Sequence, residues 1–176
     1  GRVVWVRRLP SEGIRRGEEI PTYALGQLIT RNTPQGTRLL ALSPDRAEII
    51  EIGPDNGDVL ERTPSERYME PIYLIQANAR GRDMLVAVME DRIAFEPLDN
   101  LGGDELSGAV FRTNVRGRVV PAGDRLLVPI GTRLAEVELT QRPDQRLIAV
   151  DNTGNIVAAP GQLVIVDELD AQSFLA

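Results

Sequence analysis

The chain has 176 residues, a formal net charge of −6 and 42% hydrophobic residues, a composition typical of a globular protein large enough to bury a core. It contains no Cys, His or Lys, so all 20 of its basic residues are Arg. These absences exclude disulfides, thiolate nucleophiles, imidazole and thiolate metal ligands, histidine general bases and lysine Schiff bases. The sequence has no apolar run of roughly 18 residues, the length that a membrane-spanning helix needs, and no signal-peptide pattern.

Charge is divided unevenly along the chain. Residues 1–88 carry 12 Arg and 12 acidic residues, whereas residues 89–176 carry 8 Arg and 14 acidic residues. The acidic second half argues against a nucleic-acid partner. The first sixteen residues are basic instead, with five Arg and one Glu. Two interpretations of this cluster stay open: a solvated basic turn, or a membrane-proximal segment that follows a span located before Gly1.

In chain order, the first third alternates β-branched or aromatic runs with turn signals. Residues 9–26 predict a loop because they hold five Gly and Pro residues. Pro44 and Asp45 predict a turn at 43–46, and Asn56-Gly57 predicts a hairpin turn with two positive-φ residues. The predicted strands are 3–6, 27–31, 38–42, 47–52 and 58–62.

The rest of the chain continues in the same style. Residues 64–69 predict one helical turn, residues 98–108 a loop with a turn of helix, and residues 167–175 a short terminal helix. Asn152-Thr153-Gly154-Asn155 predicts a hairpin turn between the strands at 146–150 and 156–158. The other predicted strands are 72–78, 84–89, 92–96, 109–114, 118–120, 125–128 and 162–166.

About a dozen short strands with frequent Gly and Pro between them predict a mainly β fold. We expect short antiparallel strands in a sandwich or barrel-like arrangement. A weak internal duplication, whose halves meet near residues 98–108, predicts two packed subdomains, one at 1–98 and one at 99–176.

One phrase, Pro-x-Gly-[Thr/Asp]-Arg-Leu, begins at Pro34, Pro121 and Pro129. Pro fixes φ and Gly two residues later accepts a positive φ, so the phrase predicts a type II turn that leads into a strand. The similarity extends to 38–52 and 125–139, which align with one residue skipped. It predicts two similar strand–turn–strand units from a weak internal duplication, with chance similarity as the alternative.

Two motifs resemble parts of peptidase sites, and both lack an essential partner. Asp151-Asn152-Thr153-Gly154 differs from the Asp-Thr-Gly of aspartic proteases by an inserted Asn, and a shared-proton pair needs a second copy. Residues 123–128 are similar to a strand of serine–lysine peptidases, but the chain has no Lys. A hairpin turn and an ordinary strand are therefore the favoured interpretations.

Two charged segments could bind ions, and each has a structural interpretation as well. Asp99, Asp104 and Glu105 could bind calcium, although their spacing is not that of the twelve-residue calcium loop. Arg80 and Arg82 could hold a phosphate or carboxylate or form a hairpin tip. The charged residues of a third segment, Glu66, Arg67 and Glu70 with the aromatic Tyr68, are expected on a surface helix.

The C-terminal third resembles the C-terminal lobe of regulator-of-potassium-conductance domains. The resemblance is carried by IGTRLAEVEL at 130–139, RLIAVDNTGNIV at 146–157 and QLVIV at 162–166, and VVPAGDRLLVPIG at 119–131 is similar to that lobe's closing strand. It covers 119–166 and implies a ligand-sensing role. No strand leading into a Gly-rich turn and helix precedes it, so that family's nucleotide-binding lobe has no counterpart here.

These observations predict no catalytic, cofactor-binding or metal-binding residue and no cofactor. The first functional hypothesis is a non-catalytic β-rich structural or interaction module that contacts a protein partner or a second copy of itself. Edge strands and the apolar strands at 72–77 and 84–89 are the expected contact surface. The alternatives are a regulatory ligand-binding domain of a membrane transporter or channel, and a hydrolase that uses two carboxylates.

Overall fold

The computed structural model describes residues 27–68, 70–101, 109–140, 143, 145–149, 155–159, 162–166 and 171–175. Strands dominate this part of the chain, and its helical residues form two short 3-10 helices, Ser65–Tyr68 and Leu98–Asn100. The prediction of a mainly β fold is therefore confirmed. Within the described ranges, no helix is long and apolar enough to cross a membrane.

The strands of the described residues form four antiparallel sheets, each made of strands that follow one another in the chain. Sheet 1 contains β1 (Ile29–Thr33), β2 (Gly36–Leu42), β3 (Glu48–Ile52) and β4 (Val59–Pro64). Sheet 2 contains β5 (Tyr73–Ala79), β6 (Arg82–Val88), β7 (Arg92–Pro97) and β8 (Ala109–Arg112). Sheet 3 contains β9 (Val120–Ala122), β10 (Arg125–Ile130), β11 (Arg133–Glu138) and β12 (Gln145–Ala149). Sheet 4 contains β13 (Asn155–Ala159), β14 (Gln162–Val166) and β15 (Ala171–Leu175).

The four sheets stack in chain order around three apolar clusters. The first cluster joins sheet 1 to sheet 2 through residues such as Leu40 and Leu74. The second joins sheet 2 to sheet 3 and includes Phe95 and Leu126. The third joins sheet 3 to Ile156 of sheet 4. Each sheet is therefore one layer of a stack. The predicted sandwich likewise consists of antiparallel sheets packed face to face, but with fewer layers.

The sequence of sheet 2 explains its central place in this stack. Strand β6 reads RDMLVAV, and its last five residues are all buried. Successive side chains of a strand point to opposite faces, so an unbroken apolar run requires cover on both faces. Leu85 packs toward sheet 1 and Val86 packs toward sheet 3.

The sheets also repeat in their arrangement. The first strands of successive sheets contact one another, β1 with β5, β5 with β9 and β9 with β13. Blades of a β-propeller share this four-stranded meander unit and are arranged around a common axis. The predicted similarity of 38–52 and 125–139 is confirmed at the level of strand–turn–strand units, because β2–β3 and β10–β11 occupy the same places in sheets 1 and 3.

The paired strands show which residues correspond in these two units. In each, the Arg that begins the phrase's outgoing strand forms a diagonal cross-strand ion pair: Arg38 with Glu51 and Arg125 with Glu136. The sequence alignment with one residue skipped aligns Glu48 with Glu136, but in the structure Glu51 corresponds to Glu136. The two differ because the β2–β3 turn is longer than the two-residue β10–β11 turn. The β6–β7 hairpin is likewise formed by the second and third strands of its sheet, sheet 2. Its sequence is not similar to those of the other two hairpins, so the repeated pattern does not include it.

The glycine of the repeated phrase has a positive φ in every copy, but the predicted type II turn is wrong for two of them. Gly123 and Gly131 have φ of +63° and +56° and are the first residues of two-residue hairpin turns. A type II turn needs a negative φ there, whereas the primed turns that match strand twist need a positive one. In the first copy, the turn lies at Pro34 and Gln35, and Gly36 already belongs to β2.

Two further local predictions need correction. Gly57 has a positive φ of 73°, but Asn56 does not, because the turn is a four-residue loop in which the Asn56 side chain binds the backbone N–H and carboxylate of Asp58. The predicted helix at 167–175 is wrong, since Ala171–Leu175 is β15 and pairs with β14. Pairing with β14 provides the backbone hydrogen bonds that an isolated short helix would have to supply alone.

The predicted hairpin around 152–155 is also wrong. Strand β12 pairs with β11 and β13 pairs with β14, so these two strands belong to different sheets. The predicted strand at 118–120 is observed two residues later as β9. The predicted strand at 3–6, the loop at 9–26 and the turn residues at 151–154 lie outside the described residues.

The division into 1–98 and 99–176 stays a prediction. Strand β8 follows residue 98 in the chain and pairs with β7, which precedes it. The cluster between sheets 2 and 3 likewise contains residues from both sides of that position.

Candidate functional site

The last strands of the first three sheets form a set of open edges. Strands β4, β8 and β12 each pair with one neighbour among the described residues. Because the first strands of the sheets contact one another, the last strands lie at the opposite edge of each sheet. An edge strand exposes backbone N–H and C=O groups that another strand can bind.

Exposed aliphatic side chains mark the same three strands. Leu60 of β4 is 52% exposed, Val110 of β8 is 40% exposed and Leu147 of β12 is 43% exposed. The fourth large exposed aliphatic residue of the described chain is Leu28, immediately before the edge strand β1. Single exposed aliphatics are common, but their recurrence at one structural position in three sheets is a pattern.

The strands that the sequence favoured as a contact surface are not available for one. Tyr73, Ile75, Leu85 and Val86 of β5 and β6 are at most 1% exposed. They fill the clusters on the two faces of sheet 2. The prediction that strands at 72–77 and 84–89 form the contact surface is therefore wrong, and only the edge-strand half of that expectation has a counterpart.

Sheet 1 contains a partly buried group of charged side chains. The two carboxylate oxygens of Glu51 each accept from one guanidinium, Arg31 at 2.5 Å and Arg38 at 2.6 Å. Arg31 also donates to the carbonyls of Leu98 and Leu101. Every buried side-chain polar atom in the described residues has a hydrogen-bond partner. The group is fully satisfied, which indicates that it anchors the Leu98–Leu101 segment to sheet 1.

The Arg pair of the β5–β6 hairpin forms separate ion pairs. Arg80 and Gly81 are the turn residues with φ of 54° and 80°, which is a type I′ turn. Arg80 binds Glu138 at 3.1 Å, and the guanidinium of Arg82 binds both oxygens of Asp99. The two guanidiniums have different carboxylate partners on different segments, and this arrangement fits a hairpin tip.

A shallow cleft of about 470 Å³ lies between the tips of the β5–β6 and β9–β10 hairpins. Its polar lining is already engaged in the structure. Asn78 donates to Asp83 and accepts from the Gly81 N–H, while Gln76 accepts from the Thr30 N–H. These contacts stabilise the hairpins and leave few polar groups directed at a ligand.

Among the described residues, two carboxyl groups have a lowered pKa, and both shifts have local causes. The Ser43 hydroxyl donates to Asp45 at 2.5 Å, and this bond, helped by the Ala47 N–H, lowers the pKa of Asp45 against partial burial. The bidentate Arg92 guanidinium lowers the pKa of Asp91. Ser43 has no imidazole or amine partner to activate it, so the arrangement is a turn and not a nucleophilic site.

The other charged segments from the sequence are only partly described. Asp99 binds Arg82, whereas Asp104, Glu105 and Asp151 lie outside the described residues. Glu66 is exposed on the 3-10 helix Ser65–Tyr68. Among the described residues, no group of three or more carboxylates is placed to hold a metal ion.

No sequence pattern marks these aliphatic residues as exposed. Residues 58–62, 109–114 and 146–150 were predicted as strands, but an edge strand differs from an inner one only in its partners. Proline is a weak signal: Pro64 lies where the β4 backbone faces away from β3, a position at which a missing N–H costs nothing.

Comparison with protein-family models and with curated proteins finds no match to the chain. The resemblance of 119–166 to the C-terminal lobe of regulator-of-potassium-conductance domains stays a prediction. In the structure, this stretch comprises sheet 3 and the first two strands of sheet 4.

Proposed function

We propose that the chain is a non-catalytic interaction module that binds other protein chains through the open edges of its stacked sheets. The observation that carries the proposal is the recurrence of an exposed aliphatic residue on the last strand of three successive sheets, Leu60, Val110 and Leu147. A partner strand at such an edge satisfies backbone groups and buries the aliphatic side chain at the same time.

The arrangement of polar groups also supports this proposal over a ligand-binding pocket. A small-molecule site needs a few convergent polar groups in an apolar cleft. Arg31 and Arg38 of sheet 1 and Arg80 and Arg82 of the β5–β6 hairpin are each paired with a carboxylate of the described residues. A specific protein interface typically buries roughly 1,600 Å², an area that more than one edge would have to supply.

A triple variant, Leu60→Lys, Val110→Lys and Leu147→Lys, tests the proposal. We expect the unaltered protein to form oligomers in light scattering or to retain a partner in affinity capture, and the triple variant to lose that association. The matched control places three Lys at exposed uncharged positions away from the last strands, Gln35, Thr37 and Thr132, and changes the net charge by the same amount.

Two results would contradict the proposal. In the first, the triple variant associates as well as the unaltered protein. In the second, the protein is a strict monomer with no partner but binds a small molecule tightly, which would favour the regulatory ligand-binding domain instead.

A further inference from the structure

We infer that the edge of β8 accepts an extended acidic segment of another protein as an added strand. This inference rests on the proposed function and deepens it by naming one edge and the chemistry of its partner. Three properties of β8 carry it: the direction of its free backbone groups, its exposed side chains, and the charge around it.

The hydrogen-bond pattern shows which backbone groups of β8 point outward. The Thr113 N–H donates to the Asp91 carbonyl at 2.9 Å, and residues 113 and 91 continue the register in which Arg112 lies opposite Arg92. Bonded and non-bonded pairs alternate along an antiparallel ladder. Val110 and Arg112 are therefore at non-bonded positions, and their N–H and C=O groups face away from β7.

The same two residues expose their side chains on one face of the strand. Val110 is 40% exposed and Arg112 is exposed, whereas Phe111 between them is buried against sheet 3. An added strand would place one residue opposite Arg112 and another, two positions along, opposite Val110. The expected partner strand thus has an acidic residue opposite Arg112 and an aliphatic residue opposite Val110, with any residue between them.

The charges at this edge are incompletely paired. Arg92 and Arg112 lie directly opposite each other on β7 and β8, an unfavourable pairing of like charges. Asp91 binds Arg92 through two hydrogen bonds of 2.8 and 2.9 Å, and Arg112 has no ion-pair partner among the described residues. Two exposed acidic residues lie here, Asp91 and Glu90, and the charge of Arg112 also lowers the pKa of Asp91. The Glu90 carbonyl accepts from the Val115 N–H.

The chain after β8 is basic, whereas residues 93–108 before it contain four acidic residues and no Arg. Residues 109–123 contain Arg112, Arg116 and Arg118 and no Asp or Glu, in a chain whose net charge is −6. The other two marked edges differ. On β4, Arg62 binds Glu48 and Glu61 lies 3.8 Å from Arg38, while on β12 Arg146 lies opposite Glu136. The unpaired guanidinium of Arg112 therefore favours an acidic partner at β8, whereas Arg62 on β4 and Arg146 on β12 have a carboxylate bound to them or opposite them.

The test uses the full chain and two fluorescent peptides, Thr-Glu-Thr-Val-Thr-Glu-Thr and its counterpart with Lys in place of Glu. We expect fluorescence anisotropy to show binding of the acidic peptide, weakened by added salt, and no binding of the basic peptide. Arg112→Glu should weaken binding of the acidic peptide by about tenfold or more and should allow the basic peptide to bind.

Val110→Pro tests the backbone part of the inference, because it removes an outward N–H that makes no bond to β7. We expect it to abolish peptide binding, while Leu147→Pro on β12 leaves binding unchanged. If Val110→Pro fails to fold, the charge reversal at Arg112 still decides the question.

The inference is overturned if neither peptide binds, or if the acidic peptide binds Arg112→Glu as tightly as the unaltered chain. These outcomes leave the proposed function standing if the triple Lys variant still loses its association. Loss of the proposed function would instead appear as full association of that triple variant.

Discussion

The Tyr73 side chain shows at the scale of a single residue how the stack is held in register. Tyr73 lies in β5 and is fully buried. Its hydroxyl donates to the Gly117 carbonyl at 3.3 Å and accepts from the Val119 N–H at 2.9 Å. One side chain of sheet 2 thereby fixes the backbone that leads into β9 of sheet 3.

We expect Tyr73→Phe to lower the free energy of unfolding by about 1–3 kcal/mol, because it leaves the buried Val119 N–H without this acceptor. Urea denaturation measures the change. Thr37→Val is the control, since it removes an exposed hydroxyl that donates to Asn32 and should cost less than about 0.5 kcal/mol. Equal stability of Tyr73→Phe and the unaltered protein would contradict this account.

Asp45 offers a prediction about pH. Its folded pKa lies below the ordinary value of 3.8 because the Ser43 hydroxyl donates to it. A lowered folded pKa gives stability that is present above the ordinary value and lost as pH falls through the folded one. We expect an NMR titration of the Asp45 carboxyl carbon to show a pKa below 3.8, and Ser43→Ala to raise it. An unchanged midpoint in Ser43→Ala would show that the hydrogen bond is not the cause.

At the scale of an element, the β10–β11 turn depends on the backbone of Gly131. Its φ is +56°, and a Cβ added there would meet nothing within 4 Å. Any cost of substitution therefore comes from the backbone conformation, about 1 kcal/mol for Ala and less for Asn. We expect thermal unfolding to rank the unaltered protein above Gly131→Asn and Gly131→Asn above Gly131→Ala. If Ala and Asn were equally harmless, the turn would have to relax to another type.

The charged group of sheet 1 belongs to the same scale, since it spans β1, β2 and β3. Glu51→Gln removes the negative charge that Arg31 and Arg38 share, and we expect a loss of about 2–4 kcal/mol in chemical denaturation. Glu61→Gln is the matched control on β4. Glu61 is 56% exposed at its side chain and lies 3.8 Å from Arg38, so its loss should be below about 1 kcal/mol. If the two variants lost similar amounts of unfolding free energy, burial of Glu51 would not be the reason for its contribution to stability.

At the scale of the whole molecule, the stack predicts a gradient of local stability. Sheet 2 is covered on both faces by apolar clusters, whereas β4 is an edge strand with mostly exposed side chains. Amide exchange requires local opening, which is rarest where buried contacts are densest. We expect hydrogen-exchange mass spectrometry to show slower exchange in β6 than in β4. Faster exchange in β6 would mean that the clusters do not stabilise sheet 2 as described.

The sequence determined the local part of this structure. Apolar and β-branched runs such as RLLAL and MLVAV specify strands, and turn residues such as Gly123 and Gly131 specify where the chain reverses, because both depend on short-range sterics and periodicity. The repeat in 38–52 and 125–139 was visible for the same reason. Its counterpart in β6–β7 was not, because the residues differ while the pleat and the turns are preserved.

Tertiary structure alone decided which strands are inner and which are edges. The run at 171–175 contains no feature that forbids a helix, and its pairing with β14 makes it a strand. Likewise Val110, Leu147 and the buried Val86 are all aliphatic residues of predicted strands, and only the stacking of the sheets leaves the first two exposed. Burial and pairing arise from contacts between residues far apart in the chain, so a local pattern does not contain them. The candidate interaction edges consist of such positions, and for this reason the sequence predicted that edges matter but could not say which ones.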